Sequence, residues 1–217
     1  MIDGVDITVG TEAVCVTAAR ELAVVSSAFA GGGFGRARTV ANVHVPKNFP
    51  CADAAATVGA FIRRHGLPSP WVGMLTSAWT EKAETAAARC GDLRALVVTT
   101  VGLSNASAAG LTRRAEAVPG TINTVVVVDA DPEPAALVNL VMTVTEVKAA
   151  VLIDAGVKSD EGHAATGTCT DAVVIAATGR GPRCRFGGPI SDLGWVVARA
   201  TRAALGTGVR RWLEEHR

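Results

Sequence analysis

Short β-branched runs alternate along this chain with longer apolar stretches of helical period. Residues 14–18 and 22–28 are two such runs, separated by Arg20 and Glu21, and together they predict a hairpin. Residues 39–45 alternate and stop at Pro46, which predicts a strand ending there. Residues 54–64 carry a helical pattern closed by Gly66 and Pro68. Runs 71–77 and 93–101 predict further strands, the second strongly β-branched. A strand over 121–129 follows. Pro132-Glu133-Pro134 then opens a long helix to Asp154, stopped by Gly156. Residues 171–177 make the last strand. Ser191 or Asp192 caps a helix through about Leu205, interrupted by Gly206 and Gly208. Strands first, then helices alternating with strands, predict an α/β fold: a mixed β-sheet flanked by helices, with a strand-rich N-terminal portion. No linker, repeat or charge block divides residues 1–217, so one domain is expected.

Polar residues interrupt this pattern where structure alone does not require them. Asn123 stands at the head of an apolar strand. Within the helix over 135–153, Asn139, Thr143 and Glu146 fall in an arc of about 60°, at 100° per residue. Lys148 points to the opposite side, among Leu137, Val141, Val144 and Leu152. The arc reads either as the solvated stripe of a packed helix or as the polar wall of a cleft. In the cleft reading, Glu146 is the residue for proton transfer. The turn at 165–171 gathers Thr166, Thr168, Thr170 and Asp171 around Gly167. Its hydroxyls and N–H groups suit amide binding, a nucleophile beside a base, or an oxyanion hole. Local side chain to backbone bonds stabilising a turn explain it equally well.

Composition narrows the function classes. With 49% hydrophobic and 19% charged residues, the chain is a folded globular protein. Its net charge of +1 gives no electrostatic case for nucleic acid or an acidic membrane. No apolar run is read as membrane-spanning, and the start lacks the basic segment of a secretory signal. Cys15, Cys51, Cys90, Cys169 and Cys184 are scattered, odd in number and without a CxxC pair, which favours reduced thiols and the cytoplasm. His44, His65, His163 and His216 have no zinc-hydrolase spacing, so no metal is expected. Gly31-Gly32-Gly33-Phe34-Gly35 lacks a GKS/T ending and leads into a strand, which excludes a phosphate loop. Arg180, Arg183 and Arg185 read as a solvated loop before an anion site.

Several phrases together resemble the adenosylcobinamide amidohydrolase family: GTINTVVVVDA (120–130), ALVNLVMTVTEVKAAVLIDAGV (136–157) and ATGTCTDAVVIAATGRG (165–181). SSAFAGGGFGRARTVANVHV (26–45), GMLTSA (73–78), VTTVGLSNASAAG (98–110) and LGW (193–195) extend the resemblance over most of the chain. The resemblance implies corrinoid salvage, by hydrolysis of the amide joining aminopropanol to the corrin ring. The products are adenosylcobyric acid and the free amino alcohol. It implies a small-molecule corrinoid partner, with neither nucleic acid nor membrane, and allows a homo-oligomer. No cofactor is implied, because the cobalt corrinoid is itself the substrate. Within this reading Glu146 transfers protons, Thr168 is nucleophile or oxyanion donor, and Asp171 is a supporting carboxylate. Asn105, Asn123, Asn139 and Thr143 orient the substrate's amides. One departure stands out: many relatives carry a histidine at the place of Ile190. The alternative reading is therefore a divergent corrinoid-binding protein without turnover.

Overall fold

The computed structural model describes residues 1–50, 53–114 and 121–216; Cys51 and Gly120 lie outside the described residues. The chain opens with β1 (Val5–Val9), β2 (Ala13–Ser26) and β3 (Gly33–His44), then α1 (Ala54–Arg64) and β4 (Trp71–Thr76). Next come β5 (Glu84–Cys90), β6 (Leu93–Thr100) and the short β7 (Ala106–Ser107). The second half holds β8 (Asn123–Asp129), β9 (Asp131–Pro132), α2 (Pro134–Asp154) and β10 (Gly167–Thr168). It closes with β11 (Ala172–Ala177), β12 (Arg183–Cys184) and α3 (Asp192–Glu215).

The main sheet runs β4-β3-β2-β11-β8-β6-β5, with β1 paired to β2. It is mixed: β3 and β4 are parallel, as are β8 and β11, and the other main-sheet pairs are antiparallel. Its shape follows from one irregularity. The β2–β3 register shifts between Thr17 and Leu22. Such a bulge bends the strand and sharpens its twist. The limb before it carries β1 and β4, and the limb after it joins β11. The sheet thus folds over itself. Val40, Val72 and Met74 of one limb share a core with Val98, Val125, Val127 and Val174 of the other. Outside the first limb, Ala41 and Val43 pack on Val58, Phe61 and Ile62 of α1. Outside the second, Val126, Val128 and Ile175 pack on Leu140 and Val144 of α2 and on Val196 and Ala200 of α3. The order of layers is helix, sheet, sheet, helices.

The expected mixed sheet flanked by helices is thus present, with three corrections of detail. Residues 14–18 and 22–28 are not a hairpin: β2 runs through Arg20 and Glu21, which lie exposed at the bend. Nor do Gly206 and Gly208 break the last helix, which continues to Glu215. A Cβ at Gly208 would lie 2.7 Å from Val101 Cγ2, so the glycine serves close packing, which outweighs its poor helix propensity. Finally, α2 is long and apolar enough, by length and composition, to cross a membrane. In this fold it is a core helix: Leu140, Val144 and Leu152 are fully buried against the sheet and α3, while Val138, Met142 and Ile153 face outward. Ser191 caps α3 as expected, accepting from Gly194 N at 3.2 Å and donating to Gly188 O at 2.7 Å.

Candidate active site

The parallel pair β8–β11 places Asn123 beside Ala172, so the loop before β11 lies against the start of β8. The same loop is tied from the other side, where Gly167 and Thr168 pair with Ser107 and Ala106. Asp171 sits where these constraints meet. Its Oδ1 accepts from Ile122 N at 2.9 Å, from Thr168 Oγ1 at 2.5 Å and from Thr121 Oγ1 at 3.4 Å. Its Oδ2 accepts from Thr168 N at 3.0 Å and from Lys148 Nζ. Lys148 and Asp171 form an ion pair whose side chains are only 11% and 9% exposed. In such surroundings neither charge is tolerable without the other.

Gly167 makes room for this pair. A Cβ there would lie 2.5 Å from Asp171 Oδ2 and 2.9 Å from Lys148 Nζ. Its φ is not in the left-handed region, so space rather than backbone freedom requires glycine.

Asn123 organises a second polar group. Its Nδ2 donates to Asn42 Oδ1 at 2.8 Å and to Leu75 O at 2.9 Å. Its Oδ1 accepts from Ala172 N at 3.2 Å and Thr121 Oγ1 at 3.3 Å. Asn42 Nδ2 in turn donates to Thr100 Oγ1 at 2.9 Å. Asn123 thus spends both donors inside the protein, and its Oδ1 shares the single Thr121 hydroxyl proton with Asp171. Its amide holds the site wall, and the residue also lines the cavity beside it.

A cavity of about 340 Å³ opens beside the two groups. Phe29, Met74 and Leu75 give it apolar walls, and Asn123, Thr170 and Asp171 give it a polar edge. Asn105 belongs to this neighbourhood through its Nδ2, which donates to Cys169 Sγ at 2.8 Å.

The remaining expected residues lie elsewhere. Thr143 is buried and donates to Gly187 O at 2.9 Å, fastening the loop before α3 to α2. Asn139 is half-buried one turn away, and Glu146 is exposed. The proposed polar arc on α2 is therefore not brought to Thr168 and Asp171. It begins at the edge of the packed face and turns outward to solvent. Lys148, placed by the sequence among apolar residues, is the α2 side chain that reaches the site. The available signal was that a lysine in a buried stripe demands a carboxylate partner. Ile190 is 98% exposed in the loop before α3. No disulfide joins the described Cys15, Cys90, Cys169 and Cys184.

Fold and site together define a layered α/β protein with a buried Lys148–Asp171 pair at the edge of an apolar cavity. The PH0078 protein from Pyrococcus horikoshii OT3 shares the fold with a TM-score of 0.51 at 12% identity, over 97% of this chain and 80% of that one. A Burkholderia sp. β-aminopeptidase does so with a TM-score of 0.51 at 12% identity, over 93% and 79%. The family model for adenosylcobinamide amidohydrolase matches residues 1–217, and the chain belongs to that family. The adenosylcobinamide amidohydrolase of Halobacterium salinarum is 35% identical over 149 residues, which cover 65% of this chain and 58% of that protein. The chain thus matches little more than half the length of this curated relative.

Proposed function

We propose that the chain hydrolyses the aminopropanol amide of adenosylcobinamide, giving adenosylcobyric acid and free aminopropanol in cytoplasmic corrinoid salvage. One observation carries this reading: in a chain matching the family throughout, the Thr168 hydroxyl donates to Asp171, and Asp171 lines an apolar cavity. Thr168 Oγ attacks the amide carbonyl while Asp171 takes its proton. Asp171 returns that proton to the departing amine, and water then hydrolyses the ester left on Thr168. Lys148 balances the carboxylate and fixes its orientation, as a positioning residue. No resident cofactor enters this scheme, so turnover is expected to survive a chelator.

A second reading, corrinoid binding without turnover, is favoured by the crowding of Asp171, whose acceptor positions are all engaged. Incubating the protein with adenosylcobinamide and assaying aminopropanol separates the two. Release that disappears in Thr168→Ala supports hydrolysis at this site. Tight binding without release supports the second reading, and neither binding nor release removes both.

A further inference from the structure

A second cavity, of about 380 Å³, opens at the same end of the folded sheet. Leu75 near the end of β4 lines the first cavity and Ser77, just past that end, lines the second, so lining residues of the two stand no more than about 7 Å apart along the chain. On β3, Asn42 supports the first cavity through Asn123, and two residues further His44 lines the second.

Its walls are unusual for this aromatic-poor chain. His44 stacks on Trp79 with centroids 5.2 Å apart and planes 12° apart. His216 stacks on Trp212 at 4.0 Å and 8°. Both stacks line the cavity, and both are pinned: His44 Nδ1 hydrogen-bonds Ala78 O at 3.0 Å, and His216 Nδ1 bonds Trp212 O at 2.8 Å. Trp79 nonetheless remains 59% exposed. A rigid indole backed on one side and open elsewhere is a platform for a flat aromatic group.

Charge and size restrict what that group is. Lys82 is paired with Glu215 at 2.7 Å, and Arg211 with Glu84. Two of the three lysine and arginine side chains lining the cavity are thus balanced by carboxylates, with Lys47 exposed beside them, which argues for a ligand of low charge over a polyphosphate. The volume lies near the lower end of the range for ligand pockets, about 300–1,000 Å³. It suits a nucleoside and is too small for a corrin ring with its amide side chains.

We propose that this cleft holds the adenosyl group of the corrinoid, with the adenine stacked on Trp79, and so selects adenosylated substrate. The assignment rests on the amidohydrolase reading for the identity of the ligand. The nucleoside enters one cavity while the amide-bearing rim reaches the other, which fits their adjacency at one end of the sheet.

The test uses 5′-deoxyadenosine alone as probe, by titration calorimetry, with wild-type protein and Trp79→Leu. Trp79 is exposed, so the variant is expected to melt like wild type. Saturable binding by wild type, weakened about tenfold or more in Trp79→Leu, supports the proposal. In parallel, the preference for adenosylcobinamide over hydroxocobinamide in KM is expected to shrink in the variant by a similar factor. Absence of probe binding by wild type, or equal binding by both proteins, overturns it. Probe binding without any corrinoid hydrolysis sinks the amidohydrolase reading while leaving a nucleoside cleft. Hydrolysis with unchanged discrimination does the reverse.

Discussion

Asn42 and Asn123 tie the two limbs of the sheet together through a buried hydrogen bond of 2.8 Å, one residue on β3 and the other heading β8. Each continues outward, Asn42 to Thr100 and Asn123 to Leu75 O and Ala172 N. The end of the layered core is therefore closed by polar groups, and both cavities open just beyond this seam.

Removing one side of the seam strands the other. Asn123→Ala removes the side-chain donor to the Leu75 carbonyl and to the Asn42 amide oxygen, while the Ala172 N–H keeps Ile122 O at 3.4 Å. A loss of about 1–3 kcal/mol per stranded group sets the expected scale. Urea unfolding measures it, and an unchanged midpoint would show the seam to be dispensable.

Lys148→Met leaves Asp171 as a buried charge without its cation. Breaking such a pair costs about 3–5 kcal/mol. Replacing both, as Lys148→Met with Asp171→Leu, removes the stranded charge and is expected to recover part of that loss. Gly167→Ala, which drives a methyl into the pair, is expected to destabilise as well. A double variant less stable than the sum of the singles would contradict this account.

Thr168 and Glu146 give opposite expectations. Thr168→Ala removes the proposed nucleophile and is expected to lower turnover by at least about a hundredfold, with Thr168→Ser retaining more. Glu146→Gln alters an exposed position on α2 and is expected to leave turnover near wild type, with stability changed by under about 0.5 kcal/mol. Aminopropanol release and melting curves on both variants check this. A large loss in Glu146→Gln with intact folding would return that residue to the mechanism.

Burial pushes the Cys15 thiol from 9.0 up to about 11. The folded state therefore holds its proton where the unfolded chain has released it. Its contribution is whole below pH 9 and is lost as the pH rises towards 11. At about 1.4 kcal/mol per pH unit, the loss is about 2–3 kcal/mol. Comparing Cys15→Ala with wild type at pH 8 and pH 11 checks it: the stability gap is expected to narrow at the higher pH.

Much of the architecture was legible because local patterns were strong. The helix at 54–64 and the start and stop of α2 carry explicit breakers, Gly66 and Pro68 in one case and Pro134 and Gly156 in the other. β5, with the sequence ETAAARC, carries little strand signal, being alanine and charge; pairing with β6 makes it a strand. Arg20 and Glu21 look like a turn locally, but the bulge lets them bend a continuous strand while the flanking halves join different limbs.

The sequence by itself determined the family, the alternation of elements and the hydroxyl-rich turn ending at Asp171, since these depend on residue order alone. Only the tertiary structure decided which polar residues meet. Periodicity fixes the angle between Glu146 and Lys148 around α2, but not which angle faces the sheet. That choice follows from burying Leu140, Val144 and Leu152 together, and it carries Lys148 inward to Asp171 while leaving Glu146 in water. The bend in β2 likewise brings Asn42 to Asn123 across 81 residues of chain, a contact set by how the sheet folds over itself.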